Sequence, residues 1–196
     1  MERMDSLALA TDAEIVARTL RDTSAFALLV ERYEAKLLRY IKRLGIRNAE
    51  DGEDVLQEIF IKVYKNLNGY DSSLAFSSWI YRIAHNEAIS FYRKKSVRPE
   101  GHQLAESDDV LMWLPEESDT GAEQLFDVAV NATVVQTALA TLDTKYRDPL
   151  ILRYFEHKEY DEISDILKIP IGSVGTLIHR GKKQLQAAIE PDQITI

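Results

Sequence analysis

The chain has 196 residues, 45% of them apolar and 29% charged, with a formal net charge of −8; this suits one or two globular domains and excludes wholesale disorder. It contains no cysteine, which excludes disulfides, thiolate metal sites and a cysteine nucleophile, and its four histidines show no ligand spacing. No apolar run reaches the length of a membrane-spanning helix, and Met1–Ala10, with Glu2 and Asp5, lacks the basic region and apolar core of a secretory signal. A cytoplasmic protein with neither metal nor cofactor is expected.

Thr11 or Asp12 is placed to cap a short helix ending at Leu20. Ser24 then precedes Phe26, Leu29, Val30, Tyr33, Leu37, Leu38, Ile41 and Leu44. These apolar residues, at steps of three and four, predict a long helix closed by Gly45. Val55, Leu56, Ile59, Phe60, Val63 and Leu67 predict the next helix, stopped near Asn68-Gly69. After the polar turn Asp71-Ser72-Ser73, a further helix is expected from Phe76 to about Lys95.

Residues 98–120 hold Pro99, Gly101 and Pro115 among many acids and read as a linker, with a short ordered patch at Val110–Leu114. Nine acidic residues lie between Arg98 and Thr133 against one base, Arg98, so this segment carries the whole −8 and the flanking parts sum to zero. Cations can therefore still cluster on either side of it. Thr120 and Glu123 have capping-box spacing, from which helix should resume to about Thr141. Asp143 or Asp148 caps another helix, with Pro149 expected in its first turn. "YDEISDILKI" and "PIGSVGTLIHRGKKQLQAAI" read as two more helices. No strand-like alternation of useful length and no repeat is evident. The expected fold is all-α, in two small helical domains, 1–97 and 121–196, joined by a flexible acidic linker, 98–120.

The last two helices form a helix-turn-helix pattern. Ile163, Ile166 and Leu167 make the apolar face of the first, Lys168 to Gly172 form the turn with Pro170 inside it, and Ser173 is the expected N-cap of the second. At about 100° per residue, Val174, Ile178, Gly181, Leu185 and Ile189 fall on one stripe, while Thr176, His179, Arg180 and Lys183 fall opposite. Between Lys168 and Ile189 there is no acid, against four Lys or Arg. An ordinary helical hairpin with a solvated face would share the pattern, but the local cationic bias in an acidic chain favours DNA. The cations would meet phosphates, and Ser173, Thr176 and His179 would meet base edges.

The same construction divides "FSSWIYRIAHNEAISFYRKK", Phe76 to Lys95. Phe76, Ile80, Ile83, Ala84 and Phe91 share the inward side with Glu87, which is expected to reach the edge or pair with a base. Arg82, Asn86 and Arg93 lie outward with Trp79, flanked by Tyr81, His85 and Tyr92, and Lys94-Lys95 adds charge at the end. Cations, an amide and aromatics on one face suit single-stranded DNA, whereas the tyrosines more simply seal the rim of the core.

Taken in order, "DVLQEIFIKVYKNL", "FSSWIYRIAHNEAISFYRKK", the acidic linker and "YDEISDILKIPIGSVGTLIHRGKKQL" resemble a bacterial extracytoplasmic-function (ECF) sigma factor over almost the whole chain. The resemblance implies a region-2 domain, a linker running toward the polymerase active site and a region-4 domain. It also implies binding to the beta and beta-prime subunits of core RNA polymerase, direction of that enzyme to promoter DNA, and a regulating anti-sigma factor. Asp54, Gln57, Glu58 and Phe60 match the D-x-x-Q-E-x-F segment that holds the polymerase clamp helices. Tyr70 to Phe76 match the loop that receives a base flipped from the −10 element, and Asn86 an asparagine of that pocket. With Trp79, Arg82, Arg93 and Lys94 these form the expected −10 surface. Thr176, His179 and Arg180 match recognition-helix positions at the −35 element, joined by Ser173 and Lys183. Gly175 and Leu177 stand where the family often has basic residues, which would weaken or shift the −35 contacts. The chain itself would not be an enzyme, since the resemblance leaves the chemistry to the polymerase. The alternatives are a stand-alone helix-turn-helix regulator, which would bind an operator without polymerase, and an all-helical adaptor, which would bind protein alone.

Overall fold

In the computed structural model the described residues are 10–97 and 133–189. They are helical with no strand among them, and the chain divides into two compact units, the first drawn mainly from the residues before the acidic segment and the second mainly from those after it, with Arg43–Arg47 grouped with the second. The linker over 98–120, its ordered patch and the onset of helix at Thr120 lie outside the described residues.

The first unit begins with α1, Asp12–Thr19, capped by Thr11 rather than Asp12: the Glu14 amide donates to Thr11 Oγ1 at 3.3 Å, and Glu14 Oε2 accepts from the Thr11 amide at 2.7 Å. A 3-10 turn, Thr23–Ala25, follows, and its cap is Asp22, which accepts from the Ser24 amide at 3.0 Å. The long helix α2 spans Phe26–Arg43 and ends where Gly45 takes φ 115°. Its inner face is Leu29, Tyr33, Leu37, Tyr40 and Ile41. Tyr40 is absent from the apolar series read off the sequence, yet it is fully buried. Its hydroxyl lies 3.2 Å from His85 Nδ1 and its ring centroid 5.0 Å from that of Tyr81, so the phenol's polar end is satisfied inside the core.

Helix α3, Ala49–Asn66, starts well before Val55. Its first turn holds Glu50 and Asp51 and is nucleated by Asn48, whose Oδ1 accepts from the Asp51 amide at 3.0 Å. Acids there complement the helix dipole but show no apolar period. After a 3-10 turn, Leu67–Gly69, the loop 70–75 leads into α4, Phe76–Val97. Helices α3 and α4 pack together, and Lys62 of α3 pairs with the buried Glu87 of α4, which accounts for an acid on an otherwise apolar face.

Among the described residues of the second unit, helix α5 covers 133–141 and is followed by α6, Thr144–Tyr154, capped by Asp143 through a 3.0 Å bond from the Lys145 amide. Pro149 therefore sits in the second turn of α6, not the first. Asp148, the other candidate cap, is buried and accepts from Arg147 Nε at 2.9 Å. Helix α7, Tyr160–Leu167, stops at Lys168 in the left-handed conformation, φ 55°. Helix α8, Ile171–Ile189, starts straight after Pro170. The turn is thus Lys168–Pro170, tied by Ser164 Oγ to the Ile169 carbonyl at 2.7 Å, and Ser173 lies within the first turn of α8, its amide bonded to the Pro170 carbonyl. It is not the N-cap: Pro170 supplies the break and the restricted φ that a polar cap would otherwise enforce.

Candidate nucleic-acid interface

In α8 the buried residues are Val174, Ile178 and Gly181, and they face α6 and α7. Gly181 is required by close approach: a Cβ there would lie 3.0 Å from Leu150 Cδ1 and 3.1 Å from the Tyr146 carbonyl oxygen. The opposite side is open. Thr176, His179, Arg180 and Lys183 are exposed, and Ser173 is half-buried beside them. Lys182, next to this row, lies over the Tyr154 ring at 5.8 Å. A Cβ on Gly175 would meet the Tyr160 ring at 3.4 Å, so this position flanks α7, while Leu177 is half-buried; neither adds a cation to the outer row.

The corresponding surface of the first unit is built differently. Its loop, 70–75, is held at both ends by aromatics. The Tyr70 hydroxyl donates to the Leu74 carbonyl at 2.6 Å, and Asp71 Oδ1 accepts from the Ser73 amide at 2.9 Å. Those bonds from Ser73 hold the Asp71 carboxyl below its ordinary range. Beneath the loop, Tyr70, Phe76 and Trp79 form a cluster with ring centroids 5.2–5.6 Å apart. Phe76 and Trp79 are 3% and 7% exposed. Trp79 is therefore not on the outward stripe where about 100° per residue places it; it belongs with Phe76 to the support under the loop. The stripe faces outward at Asn86 and Arg93, which are exposed, with Arg82 half-exposed at its edge, and Lys94 is exposed near the end of the helix. Tyr81 and His85 are core residues, as a rim-sealing role implies for the first.

Tyr92, expected to seal the rim of the core, is instead exposed beside Arg93, because it lies too far along α4 to be covered. One residue of this side is absent from the pattern read off the sequence: Ile89, which is exposed on the outer side of α4 with Arg82 and Arg93. An apolar residue out of phase with the core series is the signal that could have marked it. Lys95 is drawn elsewhere, paired with Asp51 at 3.0 Å and lying over the Phe91 ring at 5.2 Å, so it is less available to phosphate than its neighbour Lys94.

On α3 the residues Asp54, Gln57 and Glu58 are exposed on one side. Phe60 is half-buried instead, edge-on to Phe26 at 6.3 Å. The apolar part of that outer face is supplied by Ile61 and Tyr64, 43% and 44% exposed, with Tyr64 5.2 Å from the Phe26 ring. An acidic row beside an exposed apolar patch is a combination that protein partners use.

These surfaces fall within two family-model matches, "Sigma-70 region 2" over residues 29–98 and "Sigma-70, region 4" over residues 133–185. The chain is 33% identical over 176 residues to the ECF RNA polymerase sigma factor SigW of Bacillus subtilis, covering 84% of this chain and 89% of that one. The chain belongs to the ECF sigma factors. It is 32% identical to the RNA polymerase sigma-H factor of Pseudomonas aeruginosa, covering 92% of this chain and 94% of the relative. Among solved structures, CnrH in complex with the cytosolic domain of CnrY shares its fold with a TM-score of 0.67 at 22% identity, covering 92% of this chain and 98% of that one. The sigma factor RpoE in complex with the anti-sigma factor NepR from Bartonella quintana gives 0.63 at 18% identity, covering 84% and 96%. As an ECF sigma factor, the protein binds core RNA polymerase and directs it to promoter DNA for transcription initiation. Among the described residues of this sigma factor, no helix is long and apolar enough to cross a membrane.

Proposed function

We propose that this sigma factor divides its work among three faces. The outer side of α3, with Asp54, Gln57, Glu58 and the neighbouring Ile61 and Tyr64, holds core polymerase. Phe60 acts from below by packing on Phe26. The loop 70–75 and the outer side of α4, with Tyr70, Arg82, Asn86, Arg93 and Lys94, capture the melted −10 strand. The outer side of α8, with Ser173, Thr176, His179, Arg180 and Lys183, meets the −35 element. The observation that carries this reading is the separation of faces on α8: a buried row against α6 and α7 and an opposite exposed row bearing Thr176, His179, Arg180 and Lys183. The missing charges at Gly175 and Leu177 shift phosphate attraction toward Arg180 and Lys183.

Residues 1–97, 98–120 and 121–196 serve in this reading as region 2, linker and region 4. The linker lets both domains engage at once, which multiplies affinity only when its span matches the separation of the two elements. The protein works in the cytoplasm and is not itself an enzyme, leaving the chemistry to the polymerase. Regulation by an anti-sigma factor belongs to the same reading, since the RpoE neighbour was solved with NepR.

In vitro transcription with core polymerase tests it. Adding the protein should produce promoter-selective initiation that is lost when either promoter element is scrambled. Operator binding without polymerase would instead favour a stand-alone helix-turn-helix regulator, and initiation indifferent to both elements would defeat the assignment of faces.

A further inference from the structure

The first helix carries a charged contact with no part in the three faces. Asp12 Oδ1 accepts from Arg32 Nη1 at 2.6 Å, and its other oxygen accepts from the Tyr33 hydroxyl. Arg32 also donates through Nη2 to the Ala10 carbonyl at 2.8 Å, which fixes the entry of α1 against α2. Tyr33 is buried, and its ring stands edge-on to Phe76 at 5.6 Å. Phe76 in turn stands edge-on to Tyr70 at 5.2 Å, and the Tyr70 hydroxyl closes the loop onto the Leu74 carbonyl. An unbroken series of contacts therefore runs from Asp12 through Tyr33, Phe76 and Tyr70 to the loop. The hydroxyl of Tyr33 is pushed far above its ordinary range by burial first and by Asp12 second. That of Tyr70 is raised as well, by burial and then by the carboxylates of Asp12 and Asp71. The Asp12 charge is thus felt at both tyrosines of the stack.

We propose that Asp12 is a positioning residue for the −10 loop: by fixing Tyr33 it sets the height and tilt of Phe76 and Tyr70, and through them the geometry in which residues 71–75 meet an extruded base. The proposal rests on the assignment of that loop to −10 recognition. Physically, an exposed loop holds a reading geometry only as well as the side chains beneath it are locked. Edge-to-face ring contacts alone allow sliding, whereas a carboxylate gripping a phenol and a guanidinium fixes one ring orientation through charge-assisted bonds. Asp12 touches no DNA in this account; it acts through Tyr33.

The test uses the full chain with core polymerase on two templates, one with an intact −10 element and one with a single −10 base replaced. The readout is the ratio of initiation on the two. Asp12→Asn and Tyr33→Phe should each lower that ratio by about tenfold, the size of effect expected for one hydrogen bond to a charged group. Affinity for core polymerase and the response to −35 substitutions should stay unchanged, and Asp12→Glu should restore part of the ratio. A variant that merely loses stability lowers initiation on both templates in proportion, and an unchanged ratio in both Asp12→Asn and Tyr33→Phe would overturn the proposal. Asn86→Ala separates the two levels of the argument. If it lowers the ratio while Asp12→Asn does not, the positioning role fails and the −10 assignment stands; if neither lowers it, the −10 assignment fails as well.

Discussion

The two surfaces proposed to meet DNA would solve one problem by different means. On α8 the residues proposed to read DNA and the packing residues are on opposite sides of a single helix, and the packing side is as plain as Val174, Ile178 and Gly181. In the first unit, the proposed reading surface is a loop and one side of α4, and the loop rests on Tyr70, Phe76 and Trp79, with Tyr33 and Asp12 behind them. A rigid helix that slides into a groove needs its own backbone and little else. A loop that takes an unstacked base must be kept in shape from beneath. The contrast predicts that mutations in the support of the loop damage reading and folding together, whereas those on the outer row of α8 damage reading alone.

The largest effect should come from Trp79→Ala. Removing a buried indole from an aromatic cluster costs about 3–5 kcal/mol. Calorimetry of the full chain should show a lowered transition for the first unit, with −10 recognition lost at the same time. Retained stability would mean that the cluster is not the support described here. Next comes Gly181→Ala, where the added methyl meets Leu150 and the Tyr146 carbonyl oxygen. Overpacking of this kind costs about 1–3 kcal/mol. It should lower the transition of the second unit and weaken −35 binding, although residue 181 lies among the buried residues of α8. Equal stability of wild type and variant would show that α6 and α8 move apart without penalty.

The same contrast explains what could be read from the sequence. The order of helices, the helix-turn-helix and the outer row of α8 were legible because apolar and polar residues alternate there with an undisturbed helical period. On α4 the period misled. Trp79 falls in phase with Asn86 and Arg93, but an indole is large enough to lean from the edge of a helix onto Tyr70 and Phe76, so its phase does not report its burial. Tyr40 was missed for the converse reason: a residue type common at rims is fully buried because His85 meets its hydroxyl. Ile61, Tyr64 and Ile89 were passed over because exposed apolar side chains carry no periodic signature. Starts of helices such as Ala49, made of acids and a capping Asn48, likewise lie outside the apolar pattern. The network from Asp12 to the loop joins residues distant in sequence, and only the packed structure brings them into contact.

Two exposed substitutions sharpen the comparison where folding is not at stake. Asn86→Ala should leave thermal stability within about 0.5 kcal/mol, as expected of a surface site. It should lower −10 discrimination by roughly 1–3 kcal/mol, the range of one mismatched base pair, while binding to core polymerase is retained. Parallel loss of core binding would point to damage in the unit rather than to reading. Thr176→Ala should be the mildest. Its hydroxyl is one neutral donor and acceptor on the outer row of α8, so its removal should cost about 1 kcal/mol at a single −35 position. The measurement is a selection from promoters randomised at −35, in which the preferred base at one position should relax while the remaining positions keep their preference. A uniform loss across all −35 positions would assign Thr176 to the phosphate backbone instead of a base edge. An unchanged selection would remove it from the interface and leave His179, Arg180 and Lys183 to carry the −35 element.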